Sequence, residues 1–430
     1  MPESFMPEFK NIEELKQHQL KGLQWTVAHA YQGSDFYRNR LDEAGVRPDG
    51  IRSLDDLPGL PFTTADDLRD GYPFPLLSVP ESKVVRIHAS SGTTGKRKIL
   101  SYTQKDIDDW IHFFARCYEM AGLSREDRVQ IAVGYGVWTA GAGFQLGCEK
   151  FGAMALPVGP GNIDMQCQFL VDLQPTAMCC TASMGLLMAE EIRRRGLKDK
   201  IALKKMIFGS ERSSDAMRKH IKELLGLEDM FDIPGMTELY GPGTGLDCYK
   251  HEGIHYWADY YIIEIIDPAT LEPVAAGETG EMVLTTLCKE AAPLIRYRTR
   301  DLTRLIDEPC SCGNVLPMHD RILGRSDDMI IFRAVNIYPG QIDQVLSAIP
   351  DAGCEYQVHL DRGKDGKDLM LIRVECEEGF DQSGKPELAR TIAREIKSKI
   401  IVSAEVEMLD YGSLPRSERK AKRFFDNRSD

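Results

Sequence analysis

The strongest constraint on this chain is an alternation in its first half: a short apolar run, a loop of small residues, then a capped amphipathic helix. Val84 to His88 reads as a strand and runs straight into Ser90-Ser91-Gly92-Thr93-Thr94-Gly95-Lys96-Arg97-Lys98. Thr103 and Asp106 then form a capping box. Ile107, Ile111, Phe114 and Tyr118 recur on one face of the helix that follows, and Gly122 ends it. Lys205 to Phe208 predicts a second buried strand, ending at Gly209-Ser210-Glu211. The next helix turns Met217, Ile221, Leu224 and Leu225 inward and stops at Gly226. Such alternation predicts an α/β architecture with a largely parallel sheet.

Upstream, Leu20, Leu23, Val27 and Tyr31 predict a helix closed by Gly33. From His255 onward the texture changes. Tyr260 to Ile266 and Glu281 to Thr286 read as strands joined through turn residues, an antiparallel continuation of the same large domain. A boundary falls near Gly324 to Asp328, giving a large domain over 1–326 and a small one over 327–430. In the small unit a helix over Gln341 to Ile349, led by Pro339, precedes strands at Glu355 to Leu360 and Leu369 to Glu375. A helix through Leu388, Ile392 and Ile396 and a last strand, Glu405 to Leu409, complete an α+β fold. A chain of 430 residues exceeds what one core usually supports.

Composition removes several classes of function. A formal net charge of −13 argues against a nucleic-acid or anionic-membrane surface. No run of about 18 apolar residues occurs, and the N-terminus lacks a basic-then-apolar leader, so a cytoplasmic location is expected. Eleven scattered cysteines do not resemble the dense, even framework of a small secreted protein, and reduced thiols are expected.

The run Ser90 to Lys98 carries the most chemistry. Its glycines let backbone N–H groups turn toward an anion, and four hydroxyls and three cations surround them. It is not a Walker A loop, which needs Gly-x-x-x-x-Gly-Lys-Ser/Thr. Gly241-Pro242-Gly243-Thr244-Gly245 likewise lacks the spacing of a dinucleotide fingerprint.

At this loop the sequence resembles the phenylacetate–CoA ligase family of the adenylate-forming superfamily. The resemblance extends along the chain through Leu60 to Thr64, Asp67 to Phe74, Gly134-Tyr135-Gly136 and Glu149 to Ala153. It continues at Gly209-Ser210-Glu211, Met236-Thr237-Glu238, Pro293 to Thr303 and Gly324 to Ile331. It implies a large multi-sheet adenylation domain and a mobile C-terminal domain. The implied activity is that of an ATP-dependent ligase, which forms an acyl-adenylate from a small, aryl or arylacetic acid and passes the acyl group to coenzyme A. A non-CoA acceptor, or a nucleotide-binding homologue without catalysis, is the alternative.

The resemblance also assigns residues. Ser90, Ser91, Gly92, Thr93, Thr94, Gly95 and Lys96 hold the β- and γ-phosphates, Thr237 touches the α-phosphate, and Glu238 binds Mg²⁺. Gly209, Ser210, Glu211 and Asp232 surround the nucleotide, Asp301 accepts the ribose hydroxyls, and Arg325 is a second nucleotide contact. Asp327 is the hinge, and Lys420 is the catalytic lysine that reaches the carboxylate and α-phosphate. Tyr135, Trp138, Phe144, Gly241 and Pro242 form the acyl pocket, and a homodimer is implied. The sequence departs from the family at Pro234, where an adenine-stacking tyrosine is usual, and at Ala334 and Arg419, where glycine is usual.

Cys310-Ser311-Cys312-Gly313 is a tight turn that can aim two thiolates at one ion. Cys248 and His255 complete a Cys₃His zinc site, with His251 or His319 as alternatives to His255. Isolated buried thiols are the competing reading.

Overall fold

Apolar runs too short to be helices bury themselves best by pairing side by side, and five do so here. The computed structural model describes residues 4–90, 97–137, 140–211, 213–333, 335–363, 367–418 and 421–428. The five strands form a parallel sheet in the order Met154–Leu156, Arg128–Ile131, Ala177–Thr181, Lys205–Gly209, Asp229–Asp232. Ala177–Thr181 is buried along its whole length, as a strand covered on both faces must be. Its side chains alternate: Met178 and Cys180 face the core beneath helices Ala182–Arg194 and Asp215–Leu225, while Ala177 and Cys179 face the main core.

The predicted capping box is present. The Thr103 hydroxyl accepts the Asp106 N–H at 3.2 Å, the Asp106 carboxylate accepts the Thr103 N–H at 3.0 Å, and helix Gln104–Met120 follows. Helix Ile12–Gly33 lies along the second sheet, where Thr26 donates to the Thr286 carbonyl at 2.8 Å. That sheet is antiparallel, in the order Tyr261–Ile266, Gly280–Thr286, Tyr297–Thr303, Gly324–Arg325. A third, also antiparallel, joins Gly245–Asp247, Ile254–Tyr256, Met318–His319 and Leu305–Ile306.

The small domain packs helices Pro339–Ser347 and Lys385–Ile400 on a four-stranded sheet around Phe332, Ile342, Val358, Ile372 and Ile392. Glu405–Leu409 is not its last strand. Phe424–Asp426 follows and pairs in parallel with Val358 to Leu360. A three-residue strand after a run of charges has no periodicity to reveal it. Its pairing leaves Ala421 at the interface with the large domain, its N–H on Glu211 at 3.1 Å. None of the eleven cysteines is in a disulfide. Among the described residues, no helix is long and apolar enough to cross a membrane.

One buried ion pair ties three parts of the large domain together. Arg116, on the capped helix, donates to both carboxylate oxygens of Asp259 at 2.8 and 2.7 Å and to the Phe5 carbonyl at 2.7 Å. Its guanidinium also lies over the rings of Trp257 and Tyr260. Replacing one partner leaves a buried charge alone, which costs about 3–5 kcal/mol. Arg116→Met is therefore expected to lower the thermal midpoint sharply in calorimetry, whereas an exposed control, Arg194→Met, is expected to leave it nearly unchanged.

Candidate active site

Open parallel sheets present ligands with the carboxyl ends of their strands. Here Lys205–Gly209 and Asp229–Asp232 end side by side, placing Gly209, Ser210, Glu211 and Asp232 on the floor of a cleft of about 860 Å³. Asp301 and Arg325, opposite each other on adjacent strands of the antiparallel sheet, close one side. Ala421 and Arg423 of the small domain close the other. Ser210 holds φ at 74°, a left-handed conformation that a serine adopts only when its surroundings enforce it.

Several carboxylates expected around the nucleotide already have protein partners. Asp232 pairs with Arg218 at 2.9 Å and with Arg321 at 3.3 Å. Glu211 accepts the Ser183 N–H at 2.6 Å and the Ala421 N–H at 3.1 Å, so it bridges the two domains. Asp301 is 3.6 Å from Arg325, and burial pushes its carboxyl up to about 6 against the pull of that guanidinium. Arg325 in turn donates to both oxygens of Asp327 at 2.8 Å each. Local sequence did not mark Arg218 or Arg321, because long-range pairing alone gives them their place.

Thr237 and Glu238 follow Met236, which lines the same cleft. Their backbone is held from behind: Tyr102 donates to the Thr237 carbonyl at 3.0 Å and Lys289 to the Glu238 carbonyl at 3.2 Å. The Glu238 carboxylate forms an ion pair with Lys98 and accepts the Tyr297 hydroxyl at 3.3 Å. Lys289, which sequence reasoning passed over, is fully buried with its ammonium over the rings of Tyr102 and Tyr240 at 4.5 and 5.3 Å. The segment carrying it is fixed by Asp106, which accepts the N–H groups of Glu290 and Ala291 at 2.7 and 3.0 Å.

The hydroxyl of Ser90 is buried without a hydrogen-bond partner among the described residues. Ser91, Gly92, Thr93, Thr94, Gly95, Lys96, Trp138, Ala334, Arg419 and Lys420 lie outside the described residues. Gly241–Pro242 pairs with Gly235–Met236 in a short hairpin, beside the cleft rather than in it. Tyr135 is half-exposed, its hydroxyl 3.2 Å from Gln145. Phe144 is buried with its ring edge-on to Phe114 at 4.7 Å. Pro234 accepts the Gly243 N–H through its carbonyl and offers no aromatic face.

The Cys/His cluster assembles on the third sheet. One ligand atom from each of Cys248, His255, Cys310 and Cys312 lies within 4.8 Å of all the others. Cys248 and Cys310 sulfurs are 3.5 Å apart, and Cys312 Sγ is 3.4 Å from His255 Nε2. A carbonyl can only accept, so His255 Nδ1, 2.8 Å from the Leu316 oxygen, carries the proton and Nε2 turns its lone pair to the sulfurs. Backbone N–H groups of Lys250, Cys312 and Asn314 approach the three sulfurs at 3.4–3.5 Å, which suits thiolates. His251 binds Asp247 and Asp229 instead, and His319 turns Nδ1 to the Asp320 carbonyl. The open choice at the fourth ligand thus falls to His255, and the donors fit a tetrahedral metal ion.

Residues 24–287 match the AMP-binding enzyme family and residues 334–428 the AMP-binding enzyme C-terminal domain, so this is an AMP-forming enzyme of the adenylate-forming class. The chain is 40% identical over 428 residues to phenylacetate-coenzyme A ligase of Escherichia coli (strain K12), covering 98% of this chain and 97% of that protein. It belongs to the phenylacetate–CoA ligase family. A solved 2-hydroxyisobutyryl-CoA ligase in the postadenylation state with 2-HIB-AMP superposes with a TM-score of 0.89 at 27% identity, over 100% of this chain and 94% of that one. The same ligase in the thioesterification state, with 2-HIB-AMP and CoA, gives 0.70 at 27% identity, over 99% and 91%. The two domains here are therefore arranged more as in the postadenylation state.

Lys289 makes the site's surroundings sensitive to pH. Burial pushes its ammonium down from 10.5 to about 7, opposed by the charges of Asp106 and Glu238. Between those values the unfolded chain binds a proton that the folded one does not, so this residue makes stability rise with pH from about 7 to 10.5. Lys289→Met is expected to flatten that rise when thermal midpoints are measured across the window. An unchanged slope would mean the lysine keeps its proton in the folded state.

Proposed function

We propose that the protein is an ATP-dependent acid–CoA ligase for a small arylacetic acid, with phenylacetate the first candidate. The observation that carries this reading is the near-full-length similarity to phenylacetate–CoA ligases, with a nucleotide-sized cleft at the expected strand ends. In the first half-reaction a carboxylate oxygen attacks the α-phosphorus of ATP, the bond to the bridging oxygen breaks, and pyrophosphate leaves. In the second the thiol sulfur of CoA attacks the acyl carbon, AMP departs with the acyl oxygen, and the thiol proton passes to solvent. Neither half-reaction requires a protein nucleophile.

In this reading Asp301 orients the ribose through two acceptor oxygens, with Arg325 beside it, and Gly209 and Ser210 form the adenine floor. Glu211 and Asp232 act at one remove, because their carboxylates already have protein partners. The run Ser90 to Lys96 takes the β- and γ-phosphates, and the partnerless Ser90 hydroxyl suits that role. Thr237 faces the α-phosphate, and its fixed carbonyl keeps the hydroxyl in place. Glu238 would hold Mg²⁺ once Lys98 turns to a phosphate; such an ion offsets charge on the leaving pyrophosphate. Lys420 contributes a compact positive charge to the pentavalent transition state, and Asp327 is the hinge of the following domain rotation. Tyr135, Trp138, Gly241 and Pro242 border the acid, with Phe144 supporting them.

The cluster of Cys248, His255, Cys310 and Cys312 is read as a structural zinc site, since four protein ligands leave no open position for catalysis. Elemental analysis is expected to find about one zinc per chain, and Cys310→Ser to lose it together with thermal stability. Metal-free protein of full stability would leave four buried thiol and imidazole groups as the correct description.

The activity is tested by acid-dependent pyrophosphate release, with and without CoA, across arylacetic, benzoic and short-chain acids. Release with phenylacetate that rises when CoA is added, with the thioester as product, is the expected result. Silence across the panel while ATP still binds would overturn it.

A further inference from the structure

The structure assigns Glu190 and Tyr411 as positioning residues for adenylation, the two halves of a polar latch that seats the flanks of the Lys420 segment on the large domain. This rests on the ligase reading above. Arg416 lies four positions before Lys420, and its guanidinium is divided between the domains. On the small-domain side it donates to both oxygens of Glu375 at 3.0 and 2.9 Å. The Glu375 side chain is 1% exposed and also accepts the N–H groups of Gly412 and Leu414 at 3.1 and 2.6 Å. Arg416 is thereby fixed within the small domain and travels with it.

Its other edge faces Glu190 on helix Ala182–Arg194 of the large domain. Arg416 Nε donates to the two Glu190 oxygens at 3.1 and 3.0 Å, and Nη2 adds a contact of 2.9 Å. The Tyr411 hydroxyl donates to the same carboxylate at 2.6 Å and lies 3.0 Å from His220 Nε2, also of the large domain. On the far side of Lys420, the Ala421 N–H reaches Glu211 at 3.1 Å. Arg193 and Glu378 form a further cross-domain pair, but both are far more exposed. The chain is thus held to the large domain both before and after residues 419 and 420.

These bonds depend on the present domain arrangement, the one closer to a postadenylation relative than to a thioesterification one. Rotating the small domain separates Glu190 from Arg416 and Tyr411, while Glu375 keeps Arg416 from being left uncompensated. The latch therefore favours the first half-reaction at the expense of the second. Glu190 serves that choice without touching substrate.

Glu190→Gln keeps the shape and removes the charge. It is expected to slow acid-dependent pyrophosphate release in the absence of CoA about tenfold. Thioester formation from supplied acyl-adenylate and CoA should be unchanged or faster. Tyr411→Phe should shift the same ratio about threefold, the worth of one hydrogen bond. Small-angle scattering of the ligand-free proteins gives a readout independent of catalysis: the Glu190→Gln profile should move away from that of the compact arrangement. Two half-reactions slowed equally, or scattering identical to wild type, would overturn the latch. A wild-type protein that made no thioester from any acid would sink the ligase reading instead, and the scattering comparison would still decide the latch.

Discussion

The carboxylate of Asp106 is the constraint from which the rest of the site is built. It closes the capping box that starts helix Gln104–Met120, and it accepts the N–H groups of Glu290 and Ala291. One buried group thus satisfies orphan donors of a helix and of a distant loop. Fixing Glu290 fixes Lys289, whose ammonium reaches the Glu238 carbonyl between two tyrosine rings. With Tyr102 on the neighbouring Thr237 carbonyl, the dipeptide beside the cleft is anchored through its backbone. The Glu238 side chain pairs with Lys98 and accepts the Tyr297 hydroxyl.

The cleft itself is a meeting of two sheets with different obligations. The parallel sheet must be buried on both faces, so its only polar opening is at the strand ends, and there the chain supplies Gly209, Ser210 and Asp232. The antiparallel sheet can expose an edge, and its edge strand sets Arg325 opposite Asp301. Arginines 218, 321 and 325 hold the acidic groups of the cleft in place, so these carboxylates already have counter-charges.

The small domain extends this economy across an interface. Arg416 is satisfied on its own side by Glu375 and on the other by Glu190, so separation breaks contacts without abandoning a buried charge. An interface so built can separate at low electrostatic cost. A buried pair such as Arg116 with Asp259, with both partners inside one domain, serves permanence instead.

The sequence by itself determined what depends on near neighbours. The capping box at Thr103, the Gly226 stop, the strand before Gly209 and the change to antiparallel texture after His255 were all legible, because caps and periodicity act over a few residues. The order of motifs along the chain likewise named the family. Only the tertiary structure decided the rest. It joined Glu211 to the Ala421 amide, put Phe144 in the core, gave Lys289 its place, chose His255 over His251 and His319, and added the strand Phe424–Asp426. Each of these follows from a partner far away in sequence, and a hydrogen bond or ring contact across such a separation leaves no local pattern to read.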